Sequence, residues 1–204
     1  MWWFVVVWCA FASVAYALAM LGAVRGLLSL QTLREVEPAS PPSWPRLSVV
    51  VPACNEAATL REALTTLLEQ DYPDLEIILV DDRSTDGTGA IVDEMAARDS
   101  RIKPVHITDL PARWLGKVHA LARGAEQASA PWILFTDADV HYRVPDLLRR
   151  AGALGLEHEL DHVCLIPELQ SGSFWQEVAV DAFGIMFFAN VRIHELRGHD
   201  SERY

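Results

Sequence analysis

Trp132-Ile-Leu-Phe-Thr-Asp-Ala-Asp-Val140 is the stretch whose meaning decides the fold. Trp132 to Phe135 is a short apolar run, which predicts a buried strand. Two carboxylates, Asp137 and Asp139, follow it at once. In an open α/β sheet ligands bind beyond the carboxyl ends of the strands, so both acids are expected at the rim of a crevice. Carboxylates this close repel each other unless a cation lies between them, and hard oxygen donors favour Mg²⁺ or Mn²⁺. Such a cation suits a substrate with a diphosphate, because it neutralises charge that gathers on the leaving phosphate. A polar loop or a helix cap would use the same residues, since caps commonly employ Asp.

Working back from this stretch, strand and helix signals alternate. Leu47 to Val51 is a β-branched apolar run closed by Pro52 and predicts the first buried strand. Ala57 to Gln70 predicts an amphipathic helix, with Leu60, Leu64, Leu67 and Leu68 on one side. Leu75 to Val80 predicts a second strand, ending in Asp81-Asp82-Arg83-Ser84-Thr85-Asp86-Gly87-Thr88. Ile91, Val92 and Met95 then mark a helix face, with Ser84 or Asp86 as its N-cap. Ile102 to His106 predicts a third strand and Gly116 to Gln127 a helix. The alternation implies an α/β fold, a mainly parallel sheet with helices on both faces.

Three polar clusters stand just past strands: Asn55 and Glu56, Asp81 and Asp82, Asp137 and Asp139. All are expected at one edge of the sheet, where a ligand site belongs. A ribose or a base offers O–H and N–H donors that Asp82 and Glu56 can accept. Each cluster alone would serve as a turn; ordinary turns have no reason to gather acids at one edge. No Gly-x-Gly-x-x-Gly follows the first strand, and Gly116-Lys117 is followed by Val118 rather than Ser or Thr, so neither a dinucleotide fingerprint nor a P-loop is present.

Outside this core, Met1 to Val24 carries no charged side chain and is long enough to cross a bilayer, which takes about 20 apolar residues. Trp2, Trp3 and Trp8 lie toward one end, as aromatic rings do at a lipid boundary. Ala17-Leu-Ala19 resembles a signal-peptidase site, but no Lys or Arg precedes the apolar run and it exceeds an ordinary signal core. The expectation is a retained anchor, residues 1–30, as a single span in the inner or plasma membrane. Arg25 and Arg34 then place the remainder in the cytoplasm. Residues 31–45, with Pro38, Pro41, Pro42 and Pro45, predict an extended linker from Glu35 onward. Residues 46–170 form the predicted α/β domain and 171–204 an apolar C-terminal segment. In the latter, Phe174, Trp175, Phe183, Ile185, Met186, Phe187 and Phe188 fit an interfacial helix near the bilayer, or packing against further chain. The 204 residues carry 17 basic and 28 acidic side chains, a formal charge of −11, which argues against a nucleic-acid partner. Cys9, Cys54 and Cys164 are widely spaced and odd in number, implying neither a disulfide framework nor a zinc site.

Four segments together resemble family 2 glycosyltransferases of the GT-A fold. They are Val-Val-Val-Pro-Ala-Cys-Asn-Glu (49–56), Val-Asp-Asp-Arg-Ser-Thr-Asp-Gly-Thr (80–88), Leu-Gly-Lys-Val-His-Ala-Leu-Ala-Arg-Gly (115–124) and Thr-Asp-Ala-Asp (136–139). The resemblance covers about Leu47 to Pro167. Within the family the chain is most similar to membrane-anchored enzymes of the hopanoid-associated and ceramide glucosyltransferase kind. It implies a nucleotide-sugar donor, a UDP-sugar foremost, and transfer with inversion to a hydroxyl of a lipid or membrane-associated acceptor. It also implies that Pro52, Asn55, Glu56, Asp82 and Asp137 line the nucleotide-sugar pocket and that Lys117 lies near the diphosphate. Asp137 and Asp139 would form the metal motif, with Asp139 the direct ligand. His106, His119 and His141 are expected to be solvated or structural, His141 being the one to test.

The family's third acidic motif, which supplies the general base, and its Gln/Arg-x-x-Arg-Trp motif are not matched before Tyr204. Glu177 and Asp181 lack that context. The catalytic base is therefore unassigned, and the expectation is a truncated chain that keeps the donor-binding half. A membrane-tethered nucleotide-binding fragment without catalysis is the alternative. A haloacid-dehalogenase-type phosphatase, with Asp137 as the phosphorylated nucleophile, would also place Asp-x-Asp after an apolar strand.

Overall fold

Four strands, β1 (Leu47–Ala53), β2 (Leu75–Asp82), β3 (Ile102–Ile107) and β4 (Trp132–Phe135), run parallel in the order β3-β2-β1-β4. They belong to a computed structural model that describes residues 2–29, 32–33, 37, 41–168 and 172–190. Arg34, Glu35, Pro38, Val191 and Tyr204 lie outside the described residues, as do the side chains of Ile185 and Phe188. The chain divides into two units, residues 33–165 and residues 1–32 with 166–204.

In the first unit β1 and β2 occupy the centre of the sheet and are almost wholly buried. Covered on both faces, they show continuous apolar runs rather than alternation. Val49, Val51, Ile77 and Leu79 pack with Leu60, Leu64 and Leu67 of α2 (Leu60–Leu68), Val92 and Met95 of α3 (Thr88–Arg98), and Leu148 of α5 (Leu147–Glu157). Val50, Ile78 and Val80 face Ala120 and Leu121 of α4 (Gly116–Ala125). Helices thus lie on both faces of a parallel sheet, as the alternating pattern requires.

The expectation of a buried strand at Trp132 to Phe135 needs correction. β4 pairs only with β1 and forms an edge of the described sheet. Trp132 and Leu134 pack toward the α2–α5 core, but Ile133 is 41% and Phe135 51% exposed. The register aligns these two with Ser48 and Val50, on the face where α4 lies over β1 and β2. An apolar run states what its side chains prefer; it does not state how many neighbours the topology supplies.

The close fit of α4 on the sheet depends on Gly124. A Cβ there would stand 2.3 Å from Val50 Cγ1 and 3.1 Å from Val80 Cγ2, both buried valines with little room to move. Gly124→Ala is expected to lower stability by about 2 kcal/mol, overpacking outweighing alanine's better helix propensity. Val50→Ala in the same chain should return part of the loss, as read from the shift in urea midpoint.

At the opposite end of the sheet from the acid clusters sits Glu76, on β2 and 1% exposed. Its Oε1 accepts hydrogen bonds from Ser48 Oγ (2.5 Å), Ser129 N (2.6 Å) and Ser129 Oγ (2.8 Å). Lys103 Nζ lies 2.6 Å from Oε2 and Arg46 Nη2 3.4 Å. This one carboxylate ties together β1, β2, β3 and the turn entering β4. The proline-bearing segment before β1 also joins this unit: Trp44 packs edge-on against Tyr72 (5.7 Å between centroids) beneath the Arg149 guanidinium.

The second unit contains α1 (Trp2–Ser29) and α6 (Phe174–Asn190), which lie against each other. Within α1, Trp2–Gly22 is long and apolar enough to cross a membrane by length and composition, its 21 residues rising about 30 Å.

Candidate functional site

Because all four strands are parallel, the segments leaving β1, β2 and β4 emerge at one edge. The chain steps outward from β1 through β2 to β3 and then crosses back to β4 on the other side of β1, so a topological switch point lies between β1 and β4, where a crevice opens. A cleft of about 320 Å³ occupies that position. The end of β1 contributes Pro52, Ala53, Cys54 and Glu56, and the end of β2 contributes Asp82 and Arg83. Gly116, Lys117 and Ala120 come from α4, and Asp137, Ala138 and Asp139 from the segment after β4.

The two loops beside β1 and β2 are stitched to each other. Asn55 adopts φ +59°, a left-handed conformation that Asn tolerates better than most residues. Its Oδ1 accepts from Thr85 N at 2.8 Å, and its own N–H donates to Ser84 Oγ at 3.0 Å. Glu56 N donates to Thr88 Oγ1 (2.9 Å) and Ala57 N to Asp86 Oδ2 (3.1 Å). Asn55 is therefore engaged with the neighbouring loop and is not among the residues lining the cleft. Gly87, at φ +99°, takes the cap position of α3, while Asp86 Oδ1 accepts from Thr88 N one residue earlier than a usual cap. The hydrogen bonds from Thr88 and from Ala57 hold the Asp86 carboxyl below its ordinary value.

Adjacent Asp81 and Asp82 serve different neighbours. Asp81 Oδ2 lies 3.2 Å from His106 Nδ1, and Asp93 Oδ1 lies 2.9 Å from His106 Nε2. Burial disfavours the imidazolium, but the hydrogen bonds to Asp93 and Asp81 outweigh it, so His106 titrates above its ordinary value. Asp82, whose side chain is 5% exposed, meets the Arg83 guanidinium instead: Nε donates to Oδ1 (2.7 Å) and Nη2 to Oδ2 (3.0 Å). On the far wall Lys117 Nζ lies 2.7 Å from Asp137 Oδ1. His119 is buried in α4, with Trp114 edge-on to its ring at 5.3 Å, and His141 is exposed.

The cleft thus carries four carboxylates (Glu56, Asp82, Asp137, Asp139) and two cations (Arg83, Lys117), an excess of two negative charges. Such a cleft disfavours a diphosphate unless positive charge accompanies it. No group of three or more potential metal-ligating side chains occurs among the described residues. Two carboxylates on one short loop nonetheless fit a hard divalent ion of the kind held by one or two carboxylates together with substrate phosphates. Arg83, Gly116 and Cys54 are cleft residues that motif reasoning left without a role. An Arg directly after two acids was the available signal for the first.

Residues 48–197 match the family described as glycosyl transferase family 2. Among curated proteins, the chain is 36% identical over 95 residues to the GalNAc(5)-diNAcBac-PP-undecaprenol beta-1,3-glucosyltransferase of Campylobacter jejuni, covering 47% of this chain and 30% of that protein. It is 37% identical over 93 residues to the glycosyltransferase GlyG of Streptococcus pneumoniae, covering 46% of this chain and 30% of GlyG. Among solved structures, the mannosyltransferase PcManGT from Pyrobaculum calidifontis, in complex with GDP-Man and Mn²⁺, superposes with a TM-score of 0.59 at 31% identity. That alignment covers 72% of this chain and 42% of the mannosyltransferase. The chain spans about three-tenths of the length of both curated relatives. With the family match covering 150 of its 204 residues, the chain belongs to glycosyl transferase family 2.

Proposed function

We propose that the cleft binds a nucleotide sugar and that the protein transfers its sugar, with inversion, to a hydroxyl of a lipid or membrane-associated acceptor. The observation that carries this reading is the gathering of acids from three sequence-distant loops into one cleft at the switch point, where Lys117 also lies. The mannosyltransferase of similar fold, with GDP-Man and Mn²⁺ bound, supports it. Pro52, Glu56 and Asp82 face the nucleoside, Asn55 holds their loops in register, and Lys117 turns from Asp137 to the diphosphate. Asp137 and Asp139 would hold Mg²⁺ or Mn²⁺, which neutralises charge on the departing diphosphate. A UDP-sugar is the donor to test first.

The apolar stretch Trp2–Gly22 supports a membrane anchor with the α/β domain on the cytoplasmic side, and the undecaprenol-linked name of the Campylobacter relative supports a lipid acceptor. On this reading residues 1–30 are the anchor, 31–45 the connection, 46–170 the donor domain and 171–204 an interfacial segment. The test is calorimetry of the full chain in detergent with UDP, GDP and other nucleoside diphosphates, with and without Mn²⁺. Binding that requires Mn²⁺ is the expected result; heat from none of them would overturn the proposal. Lys117→Ala should weaken diphosphate binding about tenfold, the scale of one hydrogen bond to a charged group, and leave unphosphorylated nucleoside binding unchanged.

A further inference from the structure

We infer that Arg83 is a positioning residue for the nucleoside, acting through the carboxylate of Asp82 and not on the phosphates; this rests on the nucleotide-sugar reading above. Three features of the structure point to it.

The first is backbone conformation. Arg83 holds φ +57°, in the left-handed region. That region is sterically unfavourable for an ordinary L-residue and is usually left to Gly or Asn. The Arg83 N–H donates to Ile107 O at 3.1 Å, continuing the ladder with β3, while the side chain folds back onto Asp82. Strain of this kind at a cleft wall is kept where the side chain has a task.

The second is the fork. Nε and Nη2 engage both oxygens of Asp82, whose side chain is 5% exposed, and so fix the plane of the carboxylate. A carboxylate has about four acceptor positions, two on each oxygen. The fork uses one on each oxygen and leaves one on each. The fork takes the two acceptor positions that face forward, and those left point outward, one from each oxygen; each suits a single donor, such as one ribose hydroxyl or one base N–H, and repels a phosphate.

The third is Gly116. A Cβ at this position would stand 2.8 Å from Arg83 Nη2 and 3.0 Å from Asp82 Oδ2. The first turn of α4 therefore closes over the pair, and the absence of a side chain at 116 is what lets the fork and the helix share the space. Lys117, one residue on, is held 2.7 Å from Asp137 Oδ1, so each cation is paired with a different acid. The two cations of the cleft are thereby divided, Arg83 to the nucleoside end and Lys117 to the diphosphate end.

The experiment is a double-mutant cycle on the full chain in detergent with Mn²⁺, measuring uridine, guanosine and their diphosphates by calorimetry. Arg83→Ala is expected to weaken nucleoside and diphosphate by the same factor, about tenfold. In an Asp82→Asn background the same change should cost less than about twofold, because the group it acts through is already gone. Arg83→Lys, the milder variant and the control for folding, keeps the charge but lacks the fork and should stay within about threefold of Arg83→Ala. Unchanged affinity in Arg83→Ala, equal losses in both backgrounds, or a loss confined to the diphosphates would each overturn the inference while leaving the nucleotide-sugar reading intact. A wild-type chain that binds none of the four ligands would overturn both.

Discussion

Asp139→Ala is expected to abolish the Mn²⁺-dependent part of nucleoside diphosphate binding, a loss of at least about 100-fold, while the sheet and its stability stay as they are. The effect is large because the cleft holds four carboxylates against two cations, each of which is paired with one of those acids. A diphosphate adds further negative charge, so its affinity depends on whatever positive charge the Asp137–Asp139 loop recruits. Removing even an outer partner of a metal site commonly costs 10–100-fold, and Asp139 is proposed as a direct ligand. Asp139 is exposed and its loop follows an edge strand, so truncation creates no cavity in the core. Manganese titration of the variant by electron paramagnetic resonance, with UDP or GDP present, measures the loss directly. Wild-type affinity in the variant would mean that the charge excess is compensated elsewhere.

Glu76→Ala is the second large effect, and it acts on stability rather than on the cleft. Breaking a buried, hydrogen-bonded charge by removing one partner costs about 3–5 kcal/mol, and here the Ser129 N–H and the Ser48 hydroxyl would lose their acceptor. Burial alone would raise the Glu76 carboxyl, but the hydrogen bonds from Lys103, Ser48 and Ser129 outweigh it and hold its pKa at about 2. The group therefore binds its proton less readily folded than unfolded. Its contribution is fully present above its unfolded value of 4.5 and disappears as the pH falls toward 2. The difference is worth about 3 kcal/mol. Urea midpoints in detergent at pH 7, 5 and 3 should show the wild-type chain losing stability steeply below pH 5. The Glu76→Ala chain should be weaker at pH 7 and correspondingly flatter. Parallel pH profiles for the two chains would rule out Glu76 as the source.

Glu76 also shows where sequence patterns stop. Leu75 to Asp82 announces a buried strand by its apolar residues, and Glu76 within it looks like an irregularity. Its role exists only because β1, β3 and the turn at Ser129 converge on it, from positions 28, 27 and 53 residues away. Arg83 stands inside a motif whose letters reveal neither its positive φ nor its fork on Asp82. Asn55 stood in a motif beside Glu56, yet its carboxamide serves the neighbouring loop.

Legible in the sequence were the alternation of strands and helices, the parallel sheet that follows from it, the apolar N-terminal helix, and the three polar clusters placed at or just past strand ends. These are local matters, set by side-chain periodicity and by residues a few positions apart. The packing decided that β4 stands at an edge of the described sheet, with Ile133 and Phe135 half-exposed. It alone divided Asp81 from Asp82, assigning one to His106 and the other to Arg83. It alone brought Lys117 to Asp137, set the Arg83–Asp82 pair against Gly116, and required Gly124 to be bare. The physical reason is that each depends on the distance between groups far apart in the chain, and strand order, register and helix docking fix those distances only once the whole unit has packed.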